Sequence, residues 1–168
     1  EKLASGNRDR IESCLFEKGL DDLLVRYGSR ISFTSDYSVV TEELDSIDAV
    51  FMCLPTPEID GTGETNLDYY FAALEKLSEE MKNRDQGKQE KYMVIVNKST
   101  VPINMVDKTE EFLKERGVKN FGVVSNPEFL VEGKAIEGAL KPDRVVIGAN
   151  KEKDFEVMRK VYQRFYDD

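Results

Sequence analysis

"KYMVIVNKSTVP", residues 91–102, decides the fold of this chain. From Tyr92 to Asn97 the run is short, β-branched and apolar without polar alternation, and it then breaks into Lys98-Ser99-Thr100 and Pro102. A strand with one wet face alternates apolar and polar side chains; an unbroken apolar run marks a strand covered on both faces, as in a parallel sheet. Arg30 to Thr34, Asp48 to Leu54, Phe121 to Ser125 and Arg144 to Gly148 also read as strands. Helical patterns lie between them: Leu20 to Tyr27, Ser38 to Leu44, Leu67 to Lys82 with Asn66 as N-cap, Asn104 to Arg116 closed by Gly117, and Lys151 to Phe165. "NRDQGKQE", residues 83–90, reads as a polar surface loop, and Glu1 to Lys18 as mostly irregular. Strand and helix alternate, so the expected fold is α/β, a doubly wound and mainly parallel sheet with right-handed crossovers.

Composition narrows the function. At 168 residues the chain fits one domain with a real core. Its 24 Lys and Arg against 33 Asp and Glu leave a net charge of −9, which argues against a nucleic-acid partner. No apolar stretch is long enough to span a membrane and no export signal is visible, so the cytoplasm is the expected compartment. With only Cys14 and Cys53, a disulfide framework is not expected. Acidic residues are not grouped at a Ca²⁺-loop spacing, so no metal is expected. The absence of histidine removes the Ser-His-Asp and Cys-His pairs, leaving Glu, Asp, Lys or Tyr as acid or base.

The five prolines, Pro55, Pro57, Pro102, Pro127 and Pro142, all sit at strand ends or in the loops beside them. In open α/β sheets ligands bind beyond the carboxyl ends of the strands. Three such exits stand out: "CLPTPE" (53–58), "NKSTVP" (97–102) and "VVSNPEFLVEG" (123–133), the last with Glu128 and Glu132 four apart across an apolar step. Any one of these loops also reads as ordinary turn chemistry.

Taken together, "VFMCLPTPEIDGTGETNLDYY", "VIVNKSTVP" and "VVSNPEFLVEGKAIEGALKPDRVVIG" resemble, in order and spacing, the UDP-glucose/GDP-mannose dehydrogenase family of nucleotide-sugar dehydrogenases, from Phe16 to Gly148. "EKGLDDLL" followed by "ISFTSD" resembles the stretch before that family's third strand, and "EG" after "NPEFL" with "PDRVVIG" points to the UDP-glucose branch. The resemblance implies a partial Rossmann-like domain over residues 1–168, in a homo-oligomeric parent enzyme that oxidises UDP-glucose to UDP-glucuronate. That oxidation uses NAD twice and passes through a cysteine-bound thiohemiacetal and thioester.

The resemblance also assigns roles. Glu128 matches the glutamate that helps activate water for thioester hydrolysis, with Thr100 holding that water. Apolar neighbours would raise the carboxyl's pKa toward working pH. Phe129, Leu130 and Val131 match the segment whose backbone lines the sugar nucleotide, and Glu132 a residue near the nicotinamide ribose; the block Glu128 to Glu132 is therefore the expected substrate contact. Pro55, Thr56, Ser99 and Thr100 fall where the family touches NAD. A plainer reading stands beside these: Glu128 caps the following helix, and Ser99 and Thr100 satisfy backbone groups.

The sequence also departs from the family. It holds no strand–GxGxxG–helix unit; "GTGETN" (61–66) lies in the wrong loop and reads as a turn. It also lacks the GGxCxxKD-type motif that supplies the nucleophile and most of the UDP site. Cys53 is expected to be a packed core thiol. Asn104 stands where glycine is usual and Val131 where arginine is common. In a 3-2-1-4-5-6 strand order the absent first two strands would lie in the middle of the sheet, between "ISFTSD" and "AVFMCLP", and their absence would expose two strand edges. The chain is therefore expected to be a fragment that is inactive alone, with a rearranged sheet or a foreign strand in the gap. The alternative is a non-catalytic α/β binding or assembly module.

Overall fold

The apolar runs find cover on both faces. In the computed structural model, which describes residues 3–12, 14–43, 46–85 and 91–166, three strands lie parallel: β1 (Ala49–Met52), β2 (Met93–Asn97) and β3 (Phe121–Ser125). A fourth, β4 (Gly148–Ala149), pairs antiparallel with β3, and the order is β1-β2-β3-β4. Val50 stands opposite Ile95, and Ile95 opposite Val123.

The chain divides into two compact units, residues 36–128 with 145–168 and residues 1–35 with 129–144. The first contains the sheet. Its helices are α3 (Ser38–Glu42), α4 (Asp68–Asp85), α5 (Met105–Glu115) and α7 (Glu152–Tyr166). Met93, Ile95 and Val123 pack with Tyr70, Leu74, Leu77 and Met81 of α4 and Met105 and Leu113 of α5. Val94, Val96 and Val124, on the opposite face, pack with Met158 of α7. Each of these fully buried strand side chains contributes about 1.5–3 kcal/mol of transfer free energy. Helices on both faces explain why the strand sequences lack alternation.

Local chemistry sets the helix ends. At the end of α5, Gly117 adopts φ +76; its N–H donates to the Lys114 carbonyl and that of Val118 to the Leu113 carbonyl, the paired bonds of a Schellman motif. Asn104 precedes α5 with φ −86, so the position where glycine is usual makes no demand that asparagine fails to meet. The Asn66 carboxamide accepts the Asp68 N–H at 2.8 Å, serving the start of α4 from one residue further out than a standard cap. "GTGETN" is a hairpin: Gly61 and Gly63 have φ +73 and +72, and the Ile59 N–H donates to the Glu64 carbonyl.

The second unit carries α1 (Arg8–Glu12), α2 (Leu20–Tyr27) and α6 (Ala135–Leu140). Helix α1 occupies part of the stretch expected to be irregular: Asn7 Oδ1 accepts the Arg10 N–H at 3.1 Å as an N-cap, and Ile11 is fully buried.

Two strand expectations are overturned. Residues 31–34 form no strand, and Arg30 ends a 3-10 turn, Gly28–Arg30. Residues 144–147 likewise form none; the Val146 carbonyl goes to the Asn126 side chain at 2.8 Å, not into a ladder. Among the described residues the sheet keeps its strands in chain order and is not rearranged, and β1 forms one of its edges, where Phe51 is 37% exposed. Residues 83–85 extend α4 and the rest of that expected loop lies outside the described residues, as does Leu44. Among the described residues, no helix is long and apolar enough to cross a membrane.

Candidate functional site

The parallel strands deliver their exits to one end of the sheet, where side-chain hydrogen bonds join them. Past β2, the Ser99 hydroxyl accepts the Leu54 N–H at 2.8 Å and donates to the Leu54 carbonyl at 2.7 Å. The Lys98 and Ser99 N–H groups both reach the Met52 carbonyl, so the turn after β2 is tied to the end of β1. Thr56 continues the join: its hydroxyl donates to the Thr100 carbonyl at 2.8 Å. Pro55, Thr56, Ser99 and Thr100, drawn from two loops, thus form one continuous lip. Pro55 and Thr100 are exposed, while Thr56 and Ser99 are half-buried. Ser99 spends its hydroxyl on backbone groups, which makes it a tie between exits.

The exit of β3 is anchored by Asn126, which is fully buried. Its N–H donates to the Asn97 carbonyl, its amide group donates to Val146, and its Oδ1 accepts the Tyr162 hydroxyl at 2.6 Å. The Lys98 ammonium reaches the same Oδ1 at 3.3 Å. Partial burial holds Lys98 below the usual lysine range, opposed by its neighbours Cys53 and Glu128. Lys98 therefore stands within electrostatic reach of the Glu128 carboxylate at the strand exits. Lys98, Asn126 and Tyr162 are not among the site residues expected from sequence. The first two lie inside "NKSTVP" and "NPEFL", but Tyr162 is on α7 and only packing against the sheet brings it there.

Two expectations change. Cys53 lies just past β1 and is exposed, so it is not a packed core thiol. Glu128 is also exposed, and the apolar residues after it do not enclose it: Phe129, Leu130 and Val131 are 61%, 43% and 63% exposed. Glu128 closes its segment of the sheet-bearing unit.

Phe129, Leu130, Val131 and Glu132 belong to the other unit, where they form an exposed segment ending at Gly133, φ +79. The Val131 carbonyl accepts the Lys134 N–H at 2.9 Å.

A dinucleotide fits these residues in part. The lip at the exits of β1 and β2 offers exposed backbone and hydroxyl groups at the position where open α/β sheets bind ligands. A pyrophosphate requires a glycine-rich turn that opens a helix and aims several N–H groups at the phosphates. The glycine-rich stretch "GTGETN" is a hairpin whose N–H groups are taken up within it, those of Thr62 and Asn66 by backbone carbonyls and those of Gly63 and Glu64 by the Glu58 and Thr62 side chains.

Comparison with known proteins agrees with this geometry. Residues 1–166 match the family model described as the NAD-binding domain of the UDP-glucose/GDP-mannose dehydrogenase family. The cofactor is accordingly NAD. A UDP-glucose 6-dehydrogenase of Rickettsia bellii is 42% identical over 138 residues, covering 82% of this chain and 29% of its own length. Among solved structures, a UDP-glucose dehydrogenase from the archaeon Pyrobaculum islandicum superposes with a TM-score of 0.79 at 31% identity, over 96% of this chain and 35% of that one. A GDP-mannose dehydrogenase from Pseudomonas aeruginosa gives 0.78 at 25% identity, over 96% of this chain and 36% of that one. The chain spans about a third, or less, of the length of the relatives it matches.

Proposed function

Because this chain belongs to the UDP-glucose/GDP-mannose dehydrogenase family and matches its NAD-binding domain, we propose that it forms the NAD side of an enzyme that oxidises UDP-glucose to UDP-glucuronate. When bound, NAD accepts one hydride in each of two successive oxidations, and one water supplies the second carboxylate oxygen. The observation that carries the reading is the joined lip, in which the Thr56–Thr100 bond and the Ser99 ties hold the exits of β1 and β2 as one surface. Glu128 leaves the neighbouring β3 exit, fixed by the buried Asn126.

In this reading the lip binds the dinucleotide through Pro55, Thr56, Ser99 and Thr100. Glu128 takes a proton from the hydrolytic water, and Thr100 orients that water. Phe129 to Val131 line the sugar nucleotide with their backbone, and Glu132 meets the nicotinamide ribose. The exposure of Glu128 means that its enclosure comes from bound ligand or from protein outside these residues. The chain then acts as an incomplete NAD-binding domain. A strand from outside these residues pairs with the open edge of β1 and brings the phosphate-binding turn, and the substrate domain and nucleophile lie elsewhere in a cytoplasmic, oligomeric enzyme.

The test is NADH formation by the intact protein with UDP-glucose, GDP-mannose and UDP-N-acetylmannosamine supplied separately. Two NADH per UDP-glucose, with little from the others, is the expected result. Glu128→Gln should slow turnover about 10²-fold or more, in line with loss of a general base, after an initial release of NADH. Absence of NADH formation with every sugar would leave a non-catalytic α/β module in place of a dehydrogenase.

A further inference from the structure

The side chains of Phe129 to Glu132 are all exposed, and the segment runs directly into Gly133 and the start of α6. One anchor comes from far away in sequence. The Glu17 carboxylate accepts the Gly133 N–H at 2.8 Å on one oxygen and the Ala135 N–H at 3.0 Å on the other. These bonds span 116 and 118 residues. Ala135 opens α6, whose own N-cap residue, Lys134, makes no side-chain cap bond. Glu17 thus satisfies an N–H that the helix leaves without an intrahelical partner. The contact extends beyond this pair: at Gly19, φ +89, an added Cβ would sit 3.8 Å from Ile136 Cγ2, so the turn after Glu17 lies against the start of α6. At Gly138 an added Cβ would sit 3.4 Å from Leu130 Cδ2, so the segment folds back over α6.

We propose that Glu17 is a positioning residue: by clamping Gly133 and Ala135 it sets the conformation in which Phe129 to Glu132 present their backbone to the sugar nucleotide. This rests on the functional reading above. A carboxylate suits the task because both oxygens accept, and charge-assisted bonds to N–H groups are short and strong. Glutamine would keep one acceptor and turn an N–H donor against the second backbone N–H.

The test is Glu17→Gln in the intact protein, with Lys18→Gln as the neighbouring control and thermal melting to check folding. Amide exchange at Gly133 and Ala135 should accelerate about tenfold or more, the scale of one charge-assisted bond. The Michaelis constant for UDP-glucose should rise by a similar factor of about ten and that for NAD, whose ribose meets Glu132, should rise with it, with kcat changed less than about twofold, and Lys18→Gln should move none of these. Unchanged exchange would overturn the clamp. Faster exchange with an unchanged constant for UDP-glucose would reduce Glu17 to a structural tie and overturn the positioning role, as would a collapse of the fold in Glu17→Gln. If the unmodified protein forms no NADH from UDP-glucose, the functional reading fails and the positioning role with it, while the exchange rates still report on the clamp.

Discussion

Gly122 in β3 and Asp154 in α7 provide a test of how the sheet and its covering helix fit. Asp154 is fully buried, and its Oδ1 accepts the Tyr92 hydroxyl at 2.6 Å. A Cβ at position 122 would overlap the Asp154 carboxylate and sit 2.7 Å from the Tyr92 oxygen. The carboxylate is at the end of a short side chain on a packed helix, so it cannot swing clear without leaving Tyr92. Overpacking of this kind costs about 1–3 kcal/mol, and losing a hydrogen bond to a carboxyl group about 1.5–3 kcal/mol more. Gly122→Ala should therefore destabilise the chain by about 3–5 kcal/mol. Removing the carboxylate first removes the main overlap and leaves only the Tyr92 hydroxyl, the far end of a side chain freed of its partner, so in an Asp154→Ala background the same change should cost less than about 1 kcal/mol, a coupling of at least about 2 kcal/mol. Urea unfolding of the four species, read as midpoint shifts at constant slope, measures all the terms. Equal costs in the two backgrounds would refute the reasoning, as would a cost below about 1 kcal/mol in the native background.

Tyr70, fully buried, donates to Asn97 Oδ1 at 2.6 Å and lies 2.8 Å from the Thr109 hydroxyl. Burial pushes its phenol up to about 12, against an ordinary value of 10.0. A raised native value favours the protonated form, so this stability is complete below about pH 10 and is lost as pH rises toward 12, by about 2–3 kcal/mol. Tyr70→Phe should reduce stability by about 1–3 kcal/mol at neutral pH and flatten that alkaline loss, checked by denaturant titration at several pH values. Asn126→Ala should cost about 2–4 kcal/mol, because it strips partners from the Val146 carbonyl and the Tyr162 hydroxyl at once; calorimetric melting would show it.

What the sequence determined by itself was whatever depends on near neighbours or on burial of both faces. Residues 121–125 and 20–27 read as a strand and a helix with the bounds they have in the structure. Gly117 announced the end of α5 because a left-handed closing residue is a local requirement. "NKSTVP" and "NPEFL" marked the strand exits because the turn residues lie beside the strands they end. Tertiary structure alone decided whether an apolar run found a partner. Residues 31–34 and 144–147 have strand-like composition but no ladder, since a strand exists only through hydrogen bonds to another strand. The same holds for Tyr162 beside Asn126, Asp154 over Gly122, and Glu17 on Gly133. Each joins residues at least 32 positions apart through groups that carry no local pattern, so only the folded chain brings them together.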